Sequence, residues 1–99
     1  MAKIVWAETA IEELNAICEY IEVVNEQAAK TLFQKVFDTV SNLSAHPQIG
    51  SFPPEIGGKR YRQLICNPCR VFYRYEKEVV LIVHVFREER DLTEDLLEK

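Results

Sequence analysis

Apolar residues recur at helical spacing in two runs through the first half of the chain. The first run opens with the capping-box pair Thr9 and Glu12, and the second follows Asn25, a residue type that caps helices. Their apolar faces comprise Ile11, Leu14, Ile17, Cys18, Ile21 and Val24 in the first run, and Ala29, Leu32, Phe33, Val36, Phe37, Val40 and Leu43 in the second. Because few residues separate the runs, the sequence predicts an antiparallel helical hairpin that ends near His46-Pro47.

The second half of the chain has the pattern of β-strands. Residues 51–58 hold two prolines and two glycines and predict a loop. Stretches rich in β-branched and aromatic residues follow, at Tyr61–Cys66, Arg70–Tyr75 and Val79–Phe86. The last of them opens with five consecutive apolar residues, which predicts a central strand. With Lys3–Trp6 as an edge strand, we expect a single α+β domain over residues 1–99, with the helical hairpin packed on a three- to four-stranded antiparallel sheet.

Composition is typical of one soluble domain in a reducing compartment. The chain has 99 residues, 47% of them hydrophobic, enough for one continuous core. Three cysteines cannot all pair within one chain, and we interpret them as thiols. No apolar run reaches the roughly 20 residues of a membrane span, and the first residues meet Glu8 too early for a signal peptide. We therefore expect a cytoplasmic protein with no membrane contact.

Charge is distributed unevenly along the chain. The net charge is -4, but residues 59–90 hold eight basic and four acidic side chains, including every arginine. These arginines are Arg60, Arg62, Arg70, Arg74, Arg87 and Arg90. Two interpretations stay open: a solvated strand face, or a patch that binds an acidic partner.

Cys66-Asn67-Pro68-Cys69 has the spacing of a redox or metal site. A low thiol pKa in such a motif requires the N-terminus of a helix, whereas strands are predicted on both sides of this turn. A structural zinc site requires four ligands, and no second paired spacing is present in the sequence. A redox or metal-binding protein is therefore only a remote alternative, and we expect no metal and no cofactor.

His84 and the tyrosines are the other candidates for chemistry. His84 could serve as a general base, although a histidine among apolar strand residues is more often a satisfied core or rim residue. Tyr61, Tyr73 and Tyr75 lie beside arginines and could stack on RNA bases, but strand aromatics more often belong to the core.

Several segments occur in an order that is typical of one family. In chain order they are a strand ending at Trp6, a helix end reading Leu-Ser-Ala-His-Pro-Gln-Ile-Gly at 43–50, Arg62-Gln63-Leu64, Arg70-Val71-Phe72-Tyr73-Arg74, and a hydrophobic strand before Arg87-Glu88-Glu89-Arg90-Asp91-Leu92. Together they resemble the ParE/RelE toxin superfamily of bacterial toxin–antitoxin systems. The resemblance covers nearly the whole chain.

The resemblance implies one of two mechanisms. ParE-like members poison DNA gyrase without breaking a bond themselves, whereas RelE-like members are ribosome-dependent mRNA endonucleases. The C-terminal segment resembles ParE, and no tyrosine or histidine follows His84, where RelE-type nucleases carry a catalytic aromatic residue. A net charge of -4 also opposes docking among ribosomal phosphates. We therefore expect a ParE-like, non-enzymatic gyrase toxin of the kind that stabilises plasmids, with the endonuclease as the alternative.

The resemblance also indicates site residues. Contact with gyrase is expected at Arg87, Arg90 and a short C-terminal helix over residues 91–99, whose apolar edge is Leu92, Leu96 and Leu97. For the alternative nuclease, the catalytic residues would be Tyr61, Arg70, His84 and Arg87.

The expected partners are DNA gyrase and a cognate antitoxin, which can form a hetero-oligomer with the toxin. Direct DNA binding by the toxin alone is not expected. Two helices cover only one face of the sheet, so the opposite face is predicted to expose apolar surface beside the arginines. Arg70, Phe72 and Arg74 would bind an acidic amphipathic antitoxin segment there, although strand parity leaves open which face the helices cover.

Overall fold

A computed structural model describes residues 1–98 and has the predicted α+β architecture. Its elements follow in the order β1 (Lys3–Trp6), α1 (Glu8–Glu22), α2 (Glu26–Ser41), a 3₁₀ turn (Asn42–Ser44), β2 (Arg62–Cys66), β3 (Cys69–Glu76), β4 (Val79–Arg87) and α3 (Glu94–Glu98). The two long helices pack on one face of a four-stranded sheet, with α1 against β4 and α2 against α1.

The starts of the two helices differ in how they are capped. Asn25 caps α2 as predicted, because its side chain accepts a hydrogen bond from the Ala28 N–H at 3.0 Å. The capping box predicted at Thr9 is wrong, since the N-cap of α1 is Ala7, two residues earlier, and it makes no side-chain hydrogen bond. The Ala7 N–H instead donates to the carbonyl of Ile82 at 2.9 Å. The chain therefore turns from β1 directly into α1, and Thr9 lies inside the first turn.

The sheet is mixed, with strand order β1-β4-β3-β2. β2, β3 and β4 form the predicted antiparallel meander. β1 is the predicted edge strand, but it pairs with β4 in parallel, which corrects the expectation of a purely antiparallel sheet. β2 runs in the same direction as β1, and the two hairpin turns that follow reverse the chain twice. β4 therefore returns to the direction of β1.

β4 is buried on both faces of the sheet, as its uninterrupted apolar sequence predicts. Val80 and Ile82 belong to the core between the sheet and the helices. Phe86 belongs to a second core on the opposite face, whose members are Ile56, Tyr61, Phe72, Phe86, Leu92 and Leu97. The loop before β2 and the C-terminal segment thus cover the face that the helices leave open. The expectation of exposed apolar surface on that face is wrong for this reason.

None of the helices in residues 1–98 is both long enough and apolar enough to cross a membrane.

Candidate functional site

The structure brings two of the four candidate nuclease residues together. Tyr61 and His84 line one cavity of about 220 Å³, which lies on the face of the second core. Arg70 and Arg87 do not line this cavity, and each is bound to a carboxylate elsewhere. The four residues predicted to form one catalytic site therefore do not lie in one site.

His84 is held by an acid from the first helix. Its Nδ1 lies 2.9 and 3.1 Å from the two carboxylate oxygens of Glu13, and the ring stacks on Phe86 with 5.0 Å between centroids. Glu13 also accepts a hydrogen bond from the Val85 N–H at 3.1 Å. β1 pairs with β4 only as far as Ile82, so beyond that point Glu13 supplies an acceptor that a neighbouring strand would otherwise provide. This confirms the interpretation of His84 as a satisfied, buried histidine.

A bulge in the sheet places His84 beside the second core. Phe72 pairs with His84 while Tyr73 pairs with Ile82, so Val83 is the extra residue on β4. Side-chain alternation therefore shifts at this point, and both Val83 and Phe86 face the second core.

Arg70 has a structural role that occupies its guanidinium. It donates to both carboxylate oxygens of Glu55, at 2.7 and 3.0 Å, and its Nε donates to the Gln63 side-chain oxygen at 3.0 Å. The hydrogen bonds from Arg70 hold the pKa of Glu55 below its ordinary value. Because Arg70 is itself buried, this bidentate pair fastens the loop before β2 to β3. Arg70 is not free to bind a phosphate without releasing Glu55.

Arg87 and Arg90 lie together at the end of β4. Both border a groove of about 340 Å³ between α1 and β4, lined in its apolar part by Ala16, Ile17, Val85 and Phe86. The Arg87 Nε donates to Glu89 at 2.6 Å, which raises the pKa of Arg87, and the Arg90 guanidinium lies 4.4 Å from the Phe86 ring centroid. These two predicted target-binding residues therefore share one accessible surface.

The leucines predicted to contact the target lie mostly inside the protein. Leu92 is 9% exposed and Leu97 only 3%, both in the second core, and Leu96 packs beside them. Phe72, predicted to contact the antitoxin, is fully buried in the same cluster. The C-terminal segment thus occupies the place that sequence reasoning assigned to a partner. Only displacement of this segment would expose these apolar side chains.

The sequence did not indicate that two arginines would line this cavity, since it assigned Arg74 to the antitoxin contact and gave Arg60 no specific role. Arg60 and Arg74 line the cavity beside Tyr61 and His84. The parity of β3 correctly placed Arg74 on the same face as Phe72, since Arg74 pairs with Leu81 and Phe72 pairs with His84. Arg60 lies outside the strands, so no periodic signal indicated its position. Burial and the nearby Glu98 carboxylate raise the pKa of Tyr61 above its ordinary value.

Burial disfavours the thiolate form of Cys18 and Cys69. Cys18, Cys66 and Cys69 are buried free thiols, and Cys66 pairs with Cys69 at the turn between β2 and β3. Burial raises the pKa of Cys69 to about 11. Within residues 1–98 no group of three or more His, Cys, Asp or Glu side chains could hold a metal ion. The thiols therefore act as small core residues.

Comparison with known proteins is consistent with this architecture. A search of curated proteins returns no match to the sequence. The fold is similar to that of a chain from a solved structure described as the chromosomal ParDE TA system from P. aeruginosa, with a TM-score of 0.76. The two chains are 22% identical, and the match covers 90% of this chain and 98% of the other. This likeness shows a shared fold.

Family membership follows from the sequence itself. A family model described as the ParE toxin of the type II toxin–antitoxin system parDE matches residues 4–92. The match spans every element from β1 to β4 and extends to Leu92 in the second core. The chain belongs to the ParE toxin family of type II toxin–antitoxin systems.

Proposed function

We propose that this chain is a growth-inhibiting toxin that poisons DNA gyrase by binding, and that a cognate antitoxin neutralises it. The observation that carries the proposal is the match of the ParE toxin family model over residues 4–92. Poisoning by binding requires no catalytic side chain on the toxin, only a surface that fits the target.

Pairing of the arginines supports a protein target over a ribosomal one. Short contacts to carboxylates occupy two of the arginines, in the pairs Arg70–Glu55 and Arg87–Glu89. Each such carboxylate opposes the approach of a phosphate, because binding to nucleic acid depends on uncompensated positive charge. Two of the six arginines are thus paired within the chain itself.

We assign the gyrase contact to the α1–β4 groove, which is bordered by Arg87 and Arg90. Its apolar floor includes Ile17 and Val85, and its basic rim is accessible because the Arg87 side chain is 38% exposed. Buried Leu92 and Leu97 would hold the end of β4 in place and would not contact the target themselves.

A supercoiling assay with purified toxin tests the gyrase proposal. Near-stoichiometric toxin is expected to convert plasmid DNA into cleaved gyrase complexes, and the double substitution Arg87→Ala/Arg90→Ala is expected to weaken this effect by about tenfold or more, since arginine is enriched among the few interface residues that carry most of the binding energy. The matched control Lys30→Ala/Lys35→Ala removes two exposed charges from α2 and should retain full activity.

Two outcomes would overturn the gyrase proposal. One is wild-type toxin that leaves gyrase unaffected at stoichiometric amounts. The other is codon-specific mRNA cleavage in a cell-free translation extract, which would identify the endonuclease alternative. Under the gyrase proposal, translation in that extract is unaffected.

The antitoxin is tested by co-expression with the small protein encoded beside this chain's gene. We expect the two to purify as one complex, and expression of the toxin alone to arrest growth. An amphipathic segment that folds on binding fits the α1–β4 groove, because the groove combines apolar walls with charges of both signs, Arg87 and Arg90 beside Glu13 and Glu89. Ala16→Arg, which fills the groove, should weaken the complex at least tenfold.

Asn15→Arg is the matched control for that substitution, because Asn15 is exposed on α1 but does not line the groove. If both variants bind the antitoxin equally well, the groove is not its site. A folded toxin that accumulates alone without slowing growth would contradict neutralisation altogether.

A further inference from the structure

The cavity beneath α3 is basic and is not used by the proposed gyrase contact. It has a volume of about 220 Å³ and is lined by Arg60, Tyr61, Arg74 and His84, with Glu98 from α3 at its edge. Pockets for drug-sized molecules run from about 300 to 1,000 Å³. This cavity therefore suits a smaller group, with the volume of a phosphate and part of a sugar.

Arg74 lines the cavity, and its guanidinium includes a donor that the fold leaves unpaired. Its Nε is buried from solvent and has no hydrogen-bond partner among residues 1–98. Buried polar groups in folded proteins are almost always hydrogen-bonded, because an unpaired donor costs free energy. The ion pairs that occupy Arg70 and Arg87 do not include Arg74. A phosphate in the cavity would supply an acceptor for the Arg74 guanidinium, with a rotation of the side chain that brings Nε to the cavity wall.

Glu98 holds a carboxylate beside the same basic groups. One of its oxygens lies 3.4 Å from Arg60 Nη1, a long contact between side chains that are 54% and 42% exposed. A contact of this kind is weak, because water screens the pair and both long side chains lose conformational freedom. The Glu98 carboxylate is therefore an anion that a better ligand can replace at Arg60.

His84 supplies a further polar group from the opposite wall. Glu13 binds its Nδ1, so Nε2 is the ring nitrogen left for a ligand, either as a donor or as an acceptor. The cavity is thus lined by two positive side chains, Arg60 and Arg74, and one negative side chain, Glu98. A second carboxylate, Glu13, binds the Nδ1 side of the His84 ring. When Glu98 moves aside, its negative charge no longer offsets the two guanidinium groups.

We propose that this cavity binds a phosphate group carried by a nucleotide or a nucleic-acid end, and that Glu98 occupies part of the site until the ligand arrives. Arg74 and Arg60 are the anchors, since guanidinium groups match the oxygens of phosphate. Tyr61 and His84 complete the polar lining. The proposal stands independently of gyrase, because none of these residues borders the α1–β4 groove.

Binding is measured by calorimetry and by chemical-shift changes in the full chain, with inorganic phosphate, a nucleoside 5′-monophosphate and a short 5′-phosphorylated single-stranded oligonucleotide as probes. The unphosphorylated nucleoside is the negative control. We expect saturable binding of the phosphate-bearing probes, weakened about tenfold or more by Arg74→Gln, because a charge-assisted hydrogen bond is lost. Lys35→Gln, which removes an exposed cation that does not line the cavity, should bind as the wild type does.

Glu98→Gln tests the carboxylate without altering the buried donor. Removing its charge should strengthen binding several-fold, since a competing anion is lost from the site. Comparable binding of the monophosphate and the oligonucleotide would identify a terminal phosphate as the ligand, and preference for the oligonucleotide would identify a nucleic-acid chain.

Three results would overturn the proposal. They are no saturable change with any phosphate-bearing probe, equal binding of the unphosphorylated nucleoside, and unaltered affinity in a folded Arg74→Gln variant. Unchanged affinity in Glu98→Gln would overturn the role given to Glu98. Thermal unfolding of each variant shows whether its fold is intact. If Arg74→Gln fails to fold, the affinity of Arg74→Lys for the same probes tests the role of the guanidinium group instead.

Discussion

Replacing Phe72 with alanine is expected to lower the free energy of unfolding by about 3–5 kcal/mol. Phe72 is fully buried at the centre of the second core, with its ring centroid 5.5 Å from that of Phe86. Leu92 and Leu97 belong to the same cluster. Truncation would leave a cavity under the C-terminal segment that the surrounding sheet cannot close.

The melting temperature measures this loss. In a domain of 60 to 100 residues, each kcal/mol lowers it by about 4–8 °C, so Phe72→Ala should melt at least about 12 °C below the wild type. Hydrogen exchange should speed up most in residues 92–98, because their apolar side chains lose their main contact in the second core.

Phe33→Ala is the matched control for the second core. The same substitution on α2 removes a side chain that is 39% exposed, so it should cost about 1 kcal/mol or less. If Phe72→Ala costs no more than Phe33→Ala, the C-terminal segment does not form a core with the sheet.

Periodic patterns predicted the parts of the fold that repeat regularly. Leu14, Leu32 and Val36 were placed on the inner helix faces, and all three are buried against the sheet. Val80 and Ile82 were predicted within a central strand, and β4 does lie inside the sheet. Helix faces can be recognised in a sequence because burial of one face imposes a period on the apolar residues. Central strands can be recognised because burial of both faces requires an uninterrupted apolar run.

The second core could not be predicted in this way. Ile56 comes from a loop, and although a short C-terminal helix with Leu92 and Leu97 on its apolar edge was predicted, the sequence does not indicate what that edge packs against. Their contact with Phe72 joins segments that are far apart in sequence. Sequence reasoning therefore left this face open for a partner, whereas the chain covers it with its own C-terminal segment.

For the functional side chains too, the sequence predicted the position on a strand but not the partner in space. The parity of β3 placed Arg70, Phe72 and Arg74 on one face of the sheet, which is confirmed. Their partners were not predictable, because Glu55 meets Arg70 from an irregular loop and Glu13 meets His84 across 71 positions of sequence. A single sequence identifies which groups can carry charge, but only the fold shows which of those charges are already neutralised.

Gly50 lies where the chain passes closest to the sheet. Its N–H donates to the Tyr73 hydroxyl at 2.9 Å, and that hydroxyl donates to the Pro47 carbonyl at 2.9 Å. A Cβ at Gly50 would lie 2.6 Å from the Tyr73 oxygen and 2.7 Å from the Gln63 carbonyl oxygen. Neither atom can move away easily. Tyr73 is fully buried, and two backbone hydrogen bonds tie Gln63 to Ser51.

Gly50→Ala is therefore expected to lower the free energy of unfolding by about 3 kcal/mol, the upper part of the usual range for overpacking, because the added methyl group meets backbone as well as a buried side chain. Denaturant unfolding measures the change as a lower midpoint with an unaltered slope. Gly57→Ala is the control, since no atom lies within 4 Å of a Cβ built there. That variant should be neutral or more stable by up to about 1 kcal/mol, through the reduced freedom of the unfolded chain. Equal stability of the two variants would show that residues 47–50 do not pack against Tyr73 as described.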